Sequence, residues 1–170
     1  MFTREKIGII LAELSGTFIL AVVAIAAASY FNFTAPWYVS IAVGTALATL
    51  VAVIGTVSGA YVNPAITLGL WTLRKISTSY AVVYIAAQML GGILALAFVE
   101  YVTDVEILQQ GFSSVDGRIF FSEMVGAAVF GLGVASAVMR KLEGLQASFT
   151  IGASLTVGIL IASIAGPGYI

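Results

Sequence analysis

The stretch SGAYVNPAITLG, residues 58–69, decides how this chain can fold, because Asn63 and Pro64 mark the start of a helix. Pro64 has no backbone N–H and suits the first helical turn, where that donor would have no partner. Asn63 suits the capping position before it, where the side-chain oxygen accepts a backbone N–H. The apolar stretch that begins here, 63–73, has eleven residues, whereas a spanning helix needs about 20. We therefore expect a re-entrant half-helix or a buried core segment.

Five longer apolar segments surround this short one, at 7–28, 37–57, 80–99, 119–139 and 145–165. Each is long enough to cross about 30 Å of hydrocarbon as a helix. Hydrophobic residues make up 61% of the chain and charged residues 9%, with a mean hydropathy of +1.10, whereas a soluble domain has roughly 25% charged residues. The composition excludes a cytosolic protein. It predicts an all-α membrane protein with five spanning helices and one re-entrant half-helix.

Missing residue types narrow the chemistry further. The sequence contains no Cys and no His, so it has no disulfide, no thiolate metal site, no cysteine nucleophile and no histidine base. We therefore expect no metal, no cofactor and no enzyme. The net charge is −1, from 7 basic and 8 acidic residues, and such a balance gives the phosphates of a nucleic acid nothing to bind.

The distribution of basic residues predicts the orientation. Lys and Arg precede the first span and recur at 74–75 and 140–141, whereas the segments 30–36 and 100–117 contain neither residue. Loops rich in Lys and Arg stay on the cytoplasmic side, so we expect a multi-pass protein of the plasma membrane with a cytoplasmic N-terminus. The half-helix must then enter and leave the bilayer from that same side.

Two segments resemble each other although they run in opposite directions through the membrane. Glu13 lies three residues before Gly16 in the first span, and Glu123 lies three residues before Gly126 in the fourth. This pattern indicates an inverted repeat, an arrangement that places a transport site near the bilayer midplane.

The two intramembrane carboxylates, Glu13 and Glu123, need a reason to be there. A carboxylate at a helix centre costs at least about 2.5–3.5 kcal/mol on insertion scales. One interpretation is a proton relay. The other is a structural carboxylate that accepts hydrogen bonds from the irregular backbone of a re-entrant loop, whose donors would otherwise have no partner in hydrocarbon. Because the chain has no His and no paired base, we favour the structural role.

The residues before Asn63 predict a path for a small neutral solute. The carbonyl oxygens of Gly59, Ala60 and Tyr61 precede the helix and are free to line such a path. The Asn63 amide can present two donors there, next to the positive end of the helix dipole. A positive dipole in a narrow pore disfavours cations and protons.

SGAYVNPAITLGL at 58–70 resembles the first signature loop of the major intrinsic protein family, the aquaporins and aquaglyceroporins. AELSGTFIL at 12–20 is similar to the family's first helix, and TSYAVVYIAAQMLGGILA at 78–95 to its third. The resemblance implies an aquaporin-like inverted-repeat helical bundle. It also implies a pore motif of Asn63, Pro64 and Ala65, and a homotetramer with one pore per subunit.

The family has a second such motif, one in each repeat. Asn63 follows Gly44 by 19 residues, and the corresponding glycine of the second repeat is Gly152, so the second Asn would fall at 171, one past Ile170. We expect either a longer protein that continues into the second half-helix and sixth span, or a truncated relative. The sequence divides into a first repeat core at 1–75, a third span and outer loop at 76–110, and the start of the inverted second repeat at 111–170.

The same resemblance places three residues of the selectivity constriction at Val43, Ile159 and Gly168. Strict water channels of the family typically have Phe and His at the first two positions, and the first loop usually has a His where this chain has Tyr61. Two aliphatic residues and a glycine imply a wider and less polar opening. We therefore predict a passive channel in the lipid bilayer for water and small uncharged solutes such as glycerol. The alternative is a non-conducting membrane scaffold; an anion transporter is disfavoured because no basic residue lies at the midplane.

Overall fold

The computed structural model describes residues 4–30, 34–107 and 116–166. These residues form six α-helices and no strand: α1 (Arg4–Tyr30), α2 (Pro36–Ser58), α3 (Pro64–Thr72), α4 (Thr78–Thr103), α5 (Gly117–Met139) and α6 (Gly144–Ala162). Five of these six are long and apolar enough to cross a membrane. With nine residues and a rise of about 1.5 Å per residue, α3 reaches less than half of the way. The predicted all-α architecture is confirmed.

The helix boundaries follow from local chemistry. Pro36 occupies the first turn of α2, and Gly59, with a φ of +89°, ends it in the left-handed conformation that glycine adopts without strain. Asp116 caps α5 by accepting the Arg118 N–H at 2.8 Å. Hydrogen bonds from Arg118 hold the pKa of the Asp116 carboxyl below its usual value. The last helix, α6, ends at Ala162, three residues before the predicted 165, because the chain tightens there into a turn in which the Ile164 N–H bonds the Ile161 carbonyl.

Helices α1 and α4 run parallel, with their N-terminal ends side by side. The Lys6 amine lies 5.8 Å from the centre of the Tyr80 ring, and further along both helices the Phe18 and Phe98 rings meet edge to face at 5.6 Å. Both helices therefore start at the same end of the bundle.

Helix α2 runs antiparallel to α1 and returns to that end. Gly8 of α1 lies against Val57, and Gly16, two turns later, lies against Ile54. The segment 59–77 therefore leaves and rejoins the bundle at the end where α1 and α4 begin. The indole N–H of Trp71, at the end of α3, donates to Thr78 at the start of α4 at 3.0 Å. This confirms that α3 is a re-entrant half-helix.

The second half of the chain is an antiparallel pair. The Ser122 hydroxyl of α5 donates to the Ala162 carbonyl of α6 at 2.9 Å, and Gly133, three turns later, packs against Ser154. The pair joins the first half through α2 and α6, whose backbones touch at Gly44 and Gly152. An added Cβ at Gly44 would lie 2.7 Å from the Gly152 carbonyl oxygen, and one at Gly152 would lie 2.5 Å from the Gly44 carbonyl oxygen. A reciprocal contact of this kind is what an inverted repeat produces on its pseudo-twofold axis.

We expect Gly44→Ala to destabilise the fold by about 1–3 kcal/mol, because the new methyl group meets backbone that cannot move without separating α2 from α6. Thermal unfolding of the detergent-solubilised protein measures the effect. Gly92→Ala on α4 is the matched control: its added Cβ meets nothing within 4 Å, and alanine is the better helix former. Equal melting temperatures for the two variants would show that the α2–α6 contact is not tightly packed.

The outside of the bundle is apolar. Large side chains such as Trp37, Leu132 and Phe149 are 69%, 69% and 76% exposed. A continuous apolar surface of this kind fits a protein surrounded by lipid. One apolar cluster inside the bundle consists of buried side chains from α2, the loop, α5 and α6: Val43, Leu47, Val62, Phe130, Val134, Leu155 and Ile159.

Candidate functional site

The Glu13 carboxylate lies at the centre of the first half of the chain and is completely buried. Its Oε1 accepts hydrogen bonds from the Ser58 hydroxyl at 2.6 Å and from the Tyr61 N–H at 3.1 Å. Its Oε2 accepts from the Val62 N–H at 2.8 Å and from the Gln88 amide at 2.7 Å. Four donors are what a buried carboxylate needs to offset the cost of leaving water. The carboxylate therefore ties α1 to the end of α2, to the re-entrant loop and to α4.

The loop that Glu13 holds has an unusual backbone. Ala60 and Val62 have φ values of +50° and +39°, a region that costs a residue with a side chain about 1–3 kcal/mol. The Val62 side chain fills the space over Gly16, where an added Cβ would lie 2.6 Å from it. The loop keeps this shape because its N–H groups bond a fixed carboxylate and because Val62 is locked against α1.

A second set of polar contacts extends the network to α3. The Thr67 hydroxyl lies 2.9 Å from the Gln88 Nε2 and donates to the Asn63 carbonyl at 3.1 Å. The Tyr84 hydroxyl donates to the Ser58 carbonyl at 2.6 Å. No role for these three side chains was predicted from the sequence. The signal that could have found Gln88 is its place as a lone amide in the apolar segment 80–99, since a polar side chain in a spanning helix requires a partner.

Asn63 caps α3 and keeps its donors available. Its Oδ1 accepts the Ala65 N–H at 2.8 Å and the Ile66 N–H at 3.4 Å, so the amide nitrogen necessarily occupies the other side of the group. Among the described residues that nitrogen has no hydrogen-bond partner. Pro64 and Ala65 form the first turn of α3, at the positive end of its dipole.

The loop uses its donors and leaves its acceptors unused. The N–H groups of residues 59–62 bond, in order, the Gly55 carbonyl, the Ser58 hydroxyl and the two oxygens of Glu13. Within the described part of the chain, no hydrogen bond reaches the carbonyl oxygens of Gly59, Ala60 or Tyr61. Backbone acceptors in a membrane protein require water or solute when the protein supplies no donor.

Two cavities adjoin at the start of α3. The larger, of about 350 Å³, lies between α3 and α5 and reaches Lys75. The smaller, of about 160 Å³, lies among α1, α2 and the loop. Asn63 and Phe130 border both cavities. Asn63 therefore stands where the two spaces meet.

The structure brings together some of the residues that the sequence predicted and not others. Val43 and Tyr61 border the smaller cavity with Asn63. Ile159 is buried in the same apolar cluster as Val43 but borders neither of the two cavities. Gly59, which is exposed, and Ala60, which is buried, also border neither of the two cavities.

Two further predicted residues belong to the second half. Glu123 lies on α5, partly buried and one turn before Gly126. Gly168 lies outside the described residues. A residue that sequence reasoning missed is Phe130, since nothing distinguishes one phenylalanine in an apolar helix from another. In the parts of the chain that the structure describes, no group of three acidic side chains could hold a metal ion.

Comparison with known proteins agrees with this geometry. The sequence profile of the family described as "Major intrinsic protein" matches residues 2–168. The chain belongs to the major intrinsic protein family. It is similar to Aquaporin-1 of Rattus norvegicus, with 35% identity over 133 residues that cover 73% of this chain and 49% of the relative. Its similarity to Aquaporin-1 of Homo sapiens is 35% over 134 residues, with the same coverage. The chain thus spans about half the length of the curated relatives it matches.

A solved structure gives the same fold. The X-ray structure of the aquaglyceroporin from Plasmodium falciparum superposes on 95% of this chain and 74% of that chain, with a TM-score of 0.74 and 20% identity. Major intrinsic proteins such as the aquaporins are channels and not enzymes, so family membership confirms both the resemblance seen in the sequence and the expectation that the chain is not an enzyme.

Proposed function

We propose that this protein is a passive transmembrane channel for water and small uncharged solutes, with its path through the two cavities that meet at Asn63. The observation that carries the proposal is the state of the Asn63 amide. Its oxygen is used in capping α3, its nitrogen has no hydrogen-bond partner among the described residues, and Asn63 borders both cavities. A permeating molecule with an acceptor oxygen meets both donors there.

The path has one polar side and one apolar side. Asn63, with Pro64 and Ala65 behind it, and the loop carbonyl at Tyr61 supply hydrogen bonds in place of lost hydration. The carbonyls of Gly59 and Ala60, which border neither cavity, extend this row of acceptors beyond the cavities. Val43, Leu47 and Leu155 supply an apolar wall. The positive end of α3 opposes the entry of cations. Together these features favour neutral molecules that form hydrogen bonds, of which water is the smallest.

Other residues determine the selectivity of the path and hold its loops in place. Val43, Ile159 and Gly168 form the selectivity constriction that the family resemblance implies. Glu13 positions the first loop through its four hydrogen bonds, and Glu123 takes the equivalent role in the second repeat.

In the cell we expect a homotetramer in the plasma membrane with a cytoplasmic N-terminus. Lys6 stands beside the start of α4, and Lys75 borders the same cavity as Met139, the residue just before Arg140 and Lys141. The basic residues thus gather at one end of the bundle, which supports the cytoplasmic assignment of that end. Because the sequence contains no Cys, a single cysteine introduced at Glu143 reports the side by its reaction with an impermeant maleimide.

Stopped-flow light scattering on proteoliposomes tests the channel. When the sucrose concentration outside the vesicles is raised, we expect vesicles containing the protein to shrink faster than empty vesicles by about tenfold or more, as pore conduction requires. Shrinkage at the rate of empty vesicles would contradict the channel and favour the non-conducting scaffold. Glycerol in place of sucrose then measures, by re-swelling, whether a polyol passes.

A further inference from the structure

The two cavities share a second residue besides Asn63, and that residue is Phe130 of α5. Its ring is 6% exposed and packs within the apolar cluster that also holds Val43 and Leu155. Asn63 and Phe130 come from different parts of the chain, one from each half. They are the two residues that both cavities share.

Where α5 borders the larger cavity, the nearest neighbours of Phe130 along the helix are small residues. Ala127 and Gly131 border the larger cavity on the turn before the ring and immediately after it. These residues explain why the larger cavity exists beside α5. Of these three neighbouring residues, only Phe130 has a large side chain.

The Phe130 ring cannot move away from Asn63 by a displacement of α5, because α5 packs closely against α6. Gly126 and Gly133, on either side of Phe130 along α5, let that helix pack directly on α6. An added Cβ at Gly126 would lie 3.0 Å from the Ala162 Cβ, and one at Gly133 would lie 3.4 Å from the Thr150 carbonyl oxygen. Helix α5 is therefore fixed at close distance, and the position of the ring beside Asn63 is fixed with it.

The chemistry of the two residues is complementary. Asn63 offers two donors, whereas Phe130 offers only a hydrocarbon surface. A molecule at the junction can therefore keep hydrogen bonds on one side only. Water fits this condition, but a polyol with hydroxyl groups along its whole length must place some of them against the ring, where they have no partner.

We propose that Phe130 sets the upper size limit for solutes, at the level of Asn63 rather than at the aliphatic constriction near Val43. This inference rests on the proposed channel function and deepens it. Val43 and Ile159 alone imply an opening wide enough for glycerol. The Phe130 ring reverses that expectation, so the protein should conduct water well and glycerol poorly.

Substitutions at Phe130 test the inference through the ratio of glycerol to water permeability in proteoliposomes. We expect Phe130→Ala to raise the ratio about tenfold, since pore width governs selectivity, and Phe130→Leu to raise it less. Phe121→Ala is the matched control. It removes the same side chain from the same helix, nine positions earlier and therefore on the opposite face at about 100° per residue, where the ring is 63% exposed. Its ratio should equal that of the wild type.

Each outcome bears on a distinct claim. An unchanged ratio in both Phe130 variants, with water flux retained, would overturn the size limit and leave the channel standing. Equal increases of the water and glycerol permeabilities in the Phe130 variants would likewise overturn the size limit and leave the channel standing. Absence of water flux in the wild type would overturn both. Where Phe130→Ala does not fold, shown by aggregation on size-exclusion chromatography, Phe130→Leu carries the test with a smaller loss of packing.

Discussion

Replacing Glu13 by Gln should lower the melting temperature of the detergent-solubilised protein by about 10 °C, from a loss of about 3–5 kcal/mol, and should abolish water flux. The wild-type carboxylate accepts from Ser58, Tyr61, Val62 and Gln88. In the variant an amide nitrogen replaces one of the two carboxylate oxygens, and its N–H groups face other donors. At least one backbone N–H of the loop, that of Tyr61 or that of Val62, then has no partner, and the left-handed backbone of the loop loses part of the group that holds it.

Glu143→Gln is the control for the change of charge. Glu143 precedes α6, is exposed, and makes no capping hydrogen bond with its side chain. The same substitution there should leave both the melting temperature and the water flux unchanged. Equal behaviour of the two variants would mean that the four hydrogen bonds to Glu13 contribute nothing measurable.

The exchange Glu13→Gln with Gln88→Glu separates two roles of the carboxylate. The double variant can restore a hydrogen bond between α1 and α4, because an amide and a carboxylate again face each other. It cannot restore an acceptor for the Val62 N–H. We expect part of the lost stability to return without the water flux. Full recovery of flux would show that Glu13 only joins two helices and does not hold the loop.

Much of this architecture could be predicted because it rests on local chemistry. Asn63 and Pro64 are unambiguous helix-start residues, and their capping geometry does not depend on distant parts of the chain. The five spans follow from segment length and hydropathy alone. The close approach of α2 and α6 could be anticipated at Gly44 and Gly152, since each lacks the side chain that would keep the helices apart.

The polar network could be predicted only in part. A carboxylate at position 13 requires donors, and a re-entrant loop supplies them, so its contact with the loop follows from physical need. The role of Gln88 does not follow, because the sequence gives no information on which face of α4 lies against α1. The contact of Thr67 with Gln88 could not be predicted either, since the hydroxyl of a threonine in a helix can bond to the backbone of that helix.

The positions that border the cavities were the hardest to predict. Ile159 was placed by counting from Gly152, yet spacing along a helix does not say how far a side chain reaches into a space formed by several elements. Phe130 gave no signal, because it lies within the uninterrupted apolar stretch 124–135 of α5 and an apolar wall of a pore has the composition of a lipid-facing surface. Only its place at the border of both cavities selects it.

Asn63→Asp should keep the helix start and lose the permeability. Aspartate is as good a capping residue as asparagine and has a favourable interaction with the helix N-terminus, so its carboxylate oxygen can accept the Ala65 and Ile66 N–H groups in the same way. The melting temperature should change little. The two donors that lie between the cavities become an acceptor, however, and we expect water permeability to fall about tenfold or more.

A second substitution and a control complete the test of Asn63. Asn63→Leu removes the cap as well as the donors. It should lower the free energy of unfolding by about 1 kcal/mol and abolish the water flux. Ser77→Ala removes a cap of comparable kind from α4, where the serine accepts the Tyr80 N–H, at a place that borders neither cavity at Asn63. It should cost similar stability and leave the flux intact. If Asn63→Asp conducted water at the wild-type rate, the cap alone would explain why an asparagine stands at this position, and the path would have to draw its hydrogen bonds from the loop carbonyls.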